Sequence, residues 1–271
     1  MQKELELKEI QQETLGLLRK IIQICDEIHI NYFVAYGTLI GAARHKGYIP
    51  WDDDFDIWMT RPEFDKFVDY CKTNAAALLP YKLFDFENSP GYPYGIPRFC
   101  DTRFRMETAA HNVSLGLFID VYPLDGLGKN ISRAKRKILP REKLWKKCCR
   151  FQRAKKYYKS AHLLVNIPNY LVYLFSYLFP MAFYLKKLKN LSKMYSFEDS
   201  DYVECYTWEE PFCPKPKECF MDYEYLEFEG IKVKAPKNYD KLLRDIYGDY
   251  MVMPPVEQRK PAHNYKIYRN V

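Results

Sequence analysis

Apolar residues recur every three or four positions near the start of the chain, and Leu7, Ile10, Leu15, Leu18, Ile21, Ile22, Cys25 and Ile28 fall on one stripe. That period predicts an amphipathic helix over residues 4–29. Tyr32-Phe-Val-Ala-Tyr36, closed by Gly37, reads as a short strand. A helix over Thr38–Lys46 follows, ended by Gly47, and then a second strand over Phe55–Met59 with Asp54 at its mouth. Thr60 and Glu63 have capping-box spacing with Pro62 in the first turn, so a helix is expected from there to about Lys72.

Tyr81–Phe86 alternates weakly and predicts a strand, whereas the Pro and Gly residues of Ser89–Pro97 would interrupt any ladder. Arg98–Glu107 and Leu115–Tyr122 read as further strands. From 126 to 200 the pattern changes to a basic run, an apolar stretch over Leu163–Leu185, and a second basic cluster at Lys186, Lys187, Lys189 and Lys193. This segment reads as a helical insertion. Tyr225–Lys234 alternates on either side of a Glu-Gly turn, a hairpin signal, and Asn238 can cap a helix through Tyr247. The expected fold class is α+β, a mixed sheet with flanking helices, in one domain over residues 1–271 with the insertion at about 126–200.

Composition removes whole classes. With 48% hydrophobic and 28% charged residues, the chain is neither disordered nor collagen-like. Eight Cys and no basic, apolar leader at Met1 suggest reduced thiols in a cytosolic protein, with Cys25 and Cys71 as packing residues. The net charge of +7 is local: between Lys129 and Lys159 there are 14 Lys and Arg against the single acid Glu142. Such a run suits nucleic acid phosphates, an anionic membrane surface, or simply a solvated helical face.

The acids carry the chemistry. Asp52, Asp54 and Asp56 occupy alternate positions, which on a strand puts them on one face about 6.5 to 7 Å apart. Ionised carboxylates that close repel, and the remedies are a shared proton, a basic partner or a divalent cation. Magnesium or manganese suits such oxygen ligands. The plainer reading is an acidic turn in water, against which Phe55, Ile57 and Trp58 argue for burial. Gly37-Thr38 lies upstream, where a small residue lets backbone amides and a hydroxyl approach an anion. Asp120 stands alone in an apolar run, as a partnered structural acid or as part of the same site. A Gly-Thr turn, an Asp-x-Asp pair and a later lone Asp together resemble the metal site of the nucleotidyltransferase fold.

Three motifs narrow this further. Tyr36-Gly-Thr-Leu-Ile-Gly-Ala-Ala-Arg-His-Lys-Gly-Tyr-Ile-Pro-Trp-Asp-Asp-Asp-Phe-Asp-Ile57 resembles the signature of the LicD family of phosphorylcholine transferases. Gly116–Gly126 and Tyr247–Arg259 resemble its later motifs in the same order. The resemblance spans about Glu9 to His263 apart from the insertion. It implies transfer of a phospho-alcohol from a CDP-alcohol donor to a sugar hydroxyl of a glycan or lipid-linked acceptor, with CMP leaving. Fukutin-like ribitol-phosphate transferases share the core, so ribitol or glycerol phosphate transfer, or true nucleotidyl transfer, are the alternatives.

For this chain the resemblance implies Asp54 and Asp56 as metal ligands, Asp120 as a third ligand or the base, and Asp52 as an outer or alternative ligand. Gly37 and Thr38 would cradle a phosphate, and Arg44, His45, Lys46, Arg98 and Arg103 would add positive charge. The family's C-terminal motif ends in paired histidines, where this chain has His263 alone. Cys205, Cys213 and Cys219 lack the spacing and the fourth ligand of a zinc site. If the alcohol is choline, Tyr92, Tyr94, Tyr206 and Trp208 are candidates for an aromatic cage. No nucleic-acid motif is present. The insertion is expected to rest on the inner face of the cell membrane, with Leu171, Phe175, Leu178 and Phe179 at the acyl boundary and the Lys129–Lys159 run against anionic headgroups.

Overall fold

A computed structural model of the chain describes residues 3–108, 115–157, 166–206, 212–261, 263 and 265–270. The first half alternates as its periodicity dictates: α1 (Leu7–Glu27), β1 (Phe33–Val34), α2 (Tyr36–His45), β2 (Asp56–Thr60), α3 (Arg61–Thr73) and β3 (Tyr81–Phe84). The stretch expected as one strand over Arg98–Glu107 is two, β4 (Arg98–Asp101) and β5 (Phe104–Thr108), because the chain turns at Thr102 and Arg103. Next comes β6 (Leu117–Gly126), longer than expected and buried at every position. Burial throughout means that both faces of this strand are covered. Helices α1 and α3 both pack on it.

The main sheet runs β1-β2-β6-β4-β3, parallel between β2 and β6 and antiparallel elsewhere, so the fold is α+β with a mixed sheet. Its far end continues through β7 (Tyr202–Glu204) and β8 (Lys215–Pro216). A hairpin of β9 (Tyr223–Phe228) and β10 (Ile231–Pro236) turns at Glu229-Gly230, both left-handed with φ of 48° and 74°. Such a pair of positive φ values is what a two-residue hairpin turn needs. Helix α7 (Tyr239–Tyr247) follows, and β11 (Tyr265–Arg269) pairs antiparallel with β5.

Two capping expectations are corrected. Thr60 precedes α3, but its hydroxyl donates to Glu63 Oε2 at 2.7 Å instead of capping the helix, while Glu63 Oε1 accepts from the Asn31 amide at 2.9 Å. Asn238 precedes α7 in a left-handed conformation without a side-chain cap, and its amide donates to Glu224 Oε1 at 2.9 Å.

Between β6 and β7 lie α4 (Ile131–Ala154), α5 (Asn166–Ser176) and α6 (Met181–Ser192). They enclose a small core of their own around Cys148, Cys149, Tyr184, Leu185 and Leu188. The apolar stretch is divided between α5 and α6, with Pro180 preceding α6 and residues 163–165 outside the described residues. Among the described residues, no helix is long and apolar enough to cross a membrane.

One close approach fixes the loop that leads to the acids. The Gly47 amide donates to the Gly41 carbonyl at 3.4 Å, and a Cβ on Gly41 would lie 2.4 Å from the Gly47 carbonyl oxygen. Across the hairpin tip, Glu229 N–H donates to Lys46 O at 2.9 Å, and Glu229 Oε1 accepts from Tyr48 N at 3.3 Å. Gly41→Ala is therefore expected to lower stability by about 1–3 kcal/mol, the usual cost of forcing extra atoms into a packed site. A lower urea midpoint at unchanged slope checks it.

Candidate active site

Strand β2 begins only at Asp56, so Asp52 and Asp54 lie in the loop before it and the period-two argument does not apply to them. The acids meet by another route. The parallel register of β2 and β6 places Asp56 directly beside Asp120. The Asp120 amide donates to Phe55 O at 3.0 Å, tying the entering loop to the same level. Upstream, Asp56 N donates to Thr38 Oγ1 at 2.9 Å and Ala35 N donates to Asp56 O at 3.0 Å, so the start of α2 is fastened to the strand. The Thr38 hydroxyl, expected at a phosphate, thus has a structural partner. The space left by Gly37 is filled by the Asp52 carboxylate, which an added Cβ would approach to 2.8 Å. A carboxylate there sits at the positive end of the α2 dipole.

Each charge meets a different compensation. Arg98 is buried and clasps Asp120, with Nε 2.6 Å from Oδ1 and Nη2 3.3 Å from Oδ2. Its guanidinium also lies over the rings of Tyr94 at 4.3 Å and Phe118 at 4.0 Å. His263 comes from the far end of the chain: Nδ1 is 2.9 Å from Asp53 Oδ1 and 3.6 Å from Asp54 Oδ2, and its backbone amide donates to Asp53 Oδ2 at 3.2 Å. The hydrogen bond to Asp53, more than anything else, raises the His263 pKa. Tyr265 supports it, stacking its ring on the imidazole and donating its hydroxyl to Asp53 O.

Burial, followed by the neighbouring carboxylates, pushes the remaining acids up. Asp52, hydrogen-bonded to Asp54, is raised to about 8, and Asp54 is raised as well. Asp56 is raised well above the ordinary value by burial and then by Asp54, Asp120 and Asp52. Asp56 Oδ1 is buried and meets no hydrogen-bond partner among the described residues. An orphaned buried carboxylate oxygen is costly. Ligand atoms of Asp53, Asp54 and His263 lie within 4.8 Å of one another. A set of hard oxygens with one imidazole, beside an acid with a spare oxygen, fits a divalent cation.

This set differs from the expected Asp52, Asp54, Asp56 and Asp120. Asp53 is out of phase with the alternation, and His263 stands 210 positions from it. In the sequence only the isolated histidine after the last motif hints at the tail, and nothing local links it to the acids. Arg98 is brought to the acids, but its charge is met by Asp120. Arg103 leaves the group altogether: half exposed beyond the far end of β4, it pairs with Asp101 at 2.6 Å. Arg44, His45 and Lys46 lie at the opposite end of α2 from Gly37, about 10 Å of helical rise away. There Arg44 Nη1 donates to Tyr250 O at 2.5 Å and Nε donates to His45 Nε2 at 3.0 Å.

Three of the four candidates for an aromatic cage have other partners. Tyr206 is buried against Leu127, Ala134 and Ile138, Tyr92 donates its hydroxyl to Ile96 O, and Tyr94 already faces Arg98. Trp208 lies outside the described residues. Cys205 and Cys219 are buried in the main core, and Cys213 is half-buried.

Residues 29–126, which hold every acid of this site, match the model of the family described as LicD/FKTN/FKRP, nucleotidyltransferase domain. Over 284 aligned residues the chain is 30% identical to the lipopolysaccharide cholinephosphotransferase LicD of Haemophilus influenzae, covering 98% of this chain and 99% of that one. The chain belongs to the LicD family. A shorter likeness, 44% identity over 41 residues, relates 15% of the chain to an uncharacterised protein of Rickettsia prowazekii, and another of the same length relates it to one of Rickettsia typhi. Unlike the family motif alone, the Haemophilus alignment includes the α4–α6 segment and the tail that carries His263.

The electrostatics of this LicD site can be tested at two residues. Arg98→Met leaves Asp120 buried without its partner and is expected to cost about 3–5 kcal/mol, read from the urea midpoint. In cation-free buffer the folded protein keeps a proton on Asp52 that the unfolded chain releases above its ordinary value of 3.8. Stability from this residue is present at low pH and lost as the pH rises towards about 8. Asp52→Asn should flatten that part of the curve of Tm against pH.

Proposed function

We propose that the protein transfers phosphorylcholine from CDP-choline to a hydroxyl of a lipid-linked glycan, releasing CMP. The carrying observation is the buried acid cluster with its orphaned Asp56 oxygen, in a chain that aligns along its whole length with a cholinephosphotransferase. The acceptor is a glycan of the lipopolysaccharide kind named for that relative, met at the cytoplasmic face of the membrane. On this reading the chain is one catalytic unit, and α4–α6 are an insertion in it.

The acceptor oxygen attacks the phosphorus that bears choline. The bond from that phosphorus to the oxygen shared with the cytidylyl phosphate breaks, and its electron pair leaves with CMP. The hydroxyl proton passes to a carboxylate oxygen of Asp120. Arg98 fixes the orientation of Asp120, and each carboxylate oxygen keeps a second lone pair to accept with. Asp53, Asp54, Asp56 and His263 would hold magnesium or manganese, with Asp52 as an outer ligand. Such a cation supplies charge neutralisation on the donor phosphates, the larger part of phosphoryl-transfer catalysis. Phosphoryl transfer is mainly positioning, so the chain's own task is to keep these acids and their partners Arg98 and His263 in one place.

The test is CMP release by the purified protein with CDP-choline and a sugar acceptor, with CDP-ribitol and CDP-glycerol in parallel. CDP-choline should be turned over fastest. Asp54→Asn and Asp56→Asn should abolish turnover without unfolding, and Asp120→Asn should lower kcat by about 10²–10⁴-fold. Magnesium or manganese at a hundredfold over its dissociation constant should stabilise the wild type by about 2.7 kcal/mol. Turnover that survives a chelator, or equal turnover of CDP-glycerol, would overturn the reading.

A further inference from the structure

Helix α5 presents its apolar side outward. Its Val172 and Phe175 pack inward on the small core of α4 and α6, and Ser176 is its one fully buried residue. Ile167, Leu171 and Leu174, at spacings of four and three, form the opposite stripe, and Leu178 follows in the turn after the helix, with exposures of 74%, 61%, 48% and 70%. Tyr170 and Tyr177 flank the stripe and are half exposed. Scattered exposed leucines are ordinary on a protein surface, but a contiguous stripe of them marks an interaction surface.

The charge around this stripe has one sign. Between Glu142 and Glu198 the chain contains no Asp or Glu and 12 Lys and Arg. Two of these cations sit at the rim of the stripe. Lys155 lines a shallow depression with Leu178, Phe179 and Met181. Lys187 lies over the Phe183 ring at 5.1 Å, and that ring stacks on Phe179 with centroids 4.4 Å apart.

We propose that the exposed face of α5 is the surface by which the protein docks on an anionic lipid bilayer, with α5 lying in the plane of the interface. The apolar stripe enters the boundary between headgroups and acyl chains, the tyrosines stay at headgroup level, and the rim lysines meet lipid phosphates. Charge complementarity selects this occupant. A second copy of the chain would bring the same net positive charge against itself, and a segment without acids suits an anionic sheet better than a neutral one. The eleven residues of α5 are too few to span a bilayer, so the attachment is peripheral. This surface deepens the proposed function by naming how the enzyme meets a lipid-linked acceptor, but it does not depend on which group is transferred.

The experiment is co-sedimentation of the full-length protein with phosphatidylcholine vesicles containing phosphatidylglycerol, against vesicles of phosphatidylcholine alone. Binding is expected to the anionic vesicles and to weaken with salt. Leu171→Glu combined with Leu178→Glu should reduce it at least about tenfold, since each removes an apolar anchor and adds a repelled charge. Lys155→Glu combined with Lys187→Glu, at two exposed side chains, should also reduce it and keeps the test open if the leucine variant does not fold. Both variants should keep CMP release with a soluble sugar acceptor, so loss of docking is separable from failure of the catalytic reading. Equal binding by both variants, no binding by the wild type at low salt, or self-association that the leucine variant abolishes would each overturn the docking surface.

Discussion

Ionised carboxylates repel one another and resist burial, and this chain nevertheless gathers Asp52, Asp53, Asp54 and Asp56 at the start of β2 with Asp120 beside them on the parallel β6. The protein meets that cost piecemeal. Arg98 neutralises Asp120, His263 bridges Asp53 and Asp54, and Asp52 shares a hydrogen bond with Asp54 at the N-terminus of α2. Asp56 is left with one oxygen unanswered among the described residues. The residual imbalance is what makes the cluster a receptor for a cation and for the phosphates that accompany it.

The remainder of the fold can be understood as the means of delivering those partners. Pairing of β4 with β6 sets Arg98 opposite Asp120 in the register. Pairing of β11 with β5 returns the tail to the acid loop, where Tyr265 and His263 close over Asp53. The hairpin tip at Glu229 holds Lys46 and Tyr48, and Gln11 of α1 donates to Asp52 O at 2.8 Å. The acid loop is therefore held from four distant parts of the chain, which is the preorganisation that phosphoryl transfer demands. From the helices α4–α6, Arg153 lies over the Tyr94 ring that faces Arg98. These helices have their own core and give the molecule a second, chemically different surface.

Elements with a strong period are legible in the amino-acid sequence. The stripe from Leu7 to Ile28 forms α1, the alternation around Glu229-Gly230 forms a hairpin, and the short runs at Phe33 and Phe55 form edge and inner strands of the sheet. Local polar signals are poorer guides. Thr60 and Asn238 stand where caps belong, yet their hydrogen bonds go elsewhere, because a partner supplied by packing outcompetes the local one. The same competition takes the Thr38 hydroxyl for Asp56 and the Arg103 guanidinium for Asp101.

What the sequence determined by itself is the order of the strongly periodic elements, the α+β class, the family and the concentration of acids between Trp51 and Ile57 beside a lone Asp120, since these depend on periodicity and on residue types that are neighbours in the chain. What only the tertiary structure decided is which groups answer those acids. That Asp53 faces His263 across 210 positions, that Arg98 clasps Asp120, and that an oxygen of Asp56 finds no partner among the described residues are consequences of strand register and of the returning tail. Charge compensation is a matter of a few ångströms in space, and separation along the chain carries no information about it.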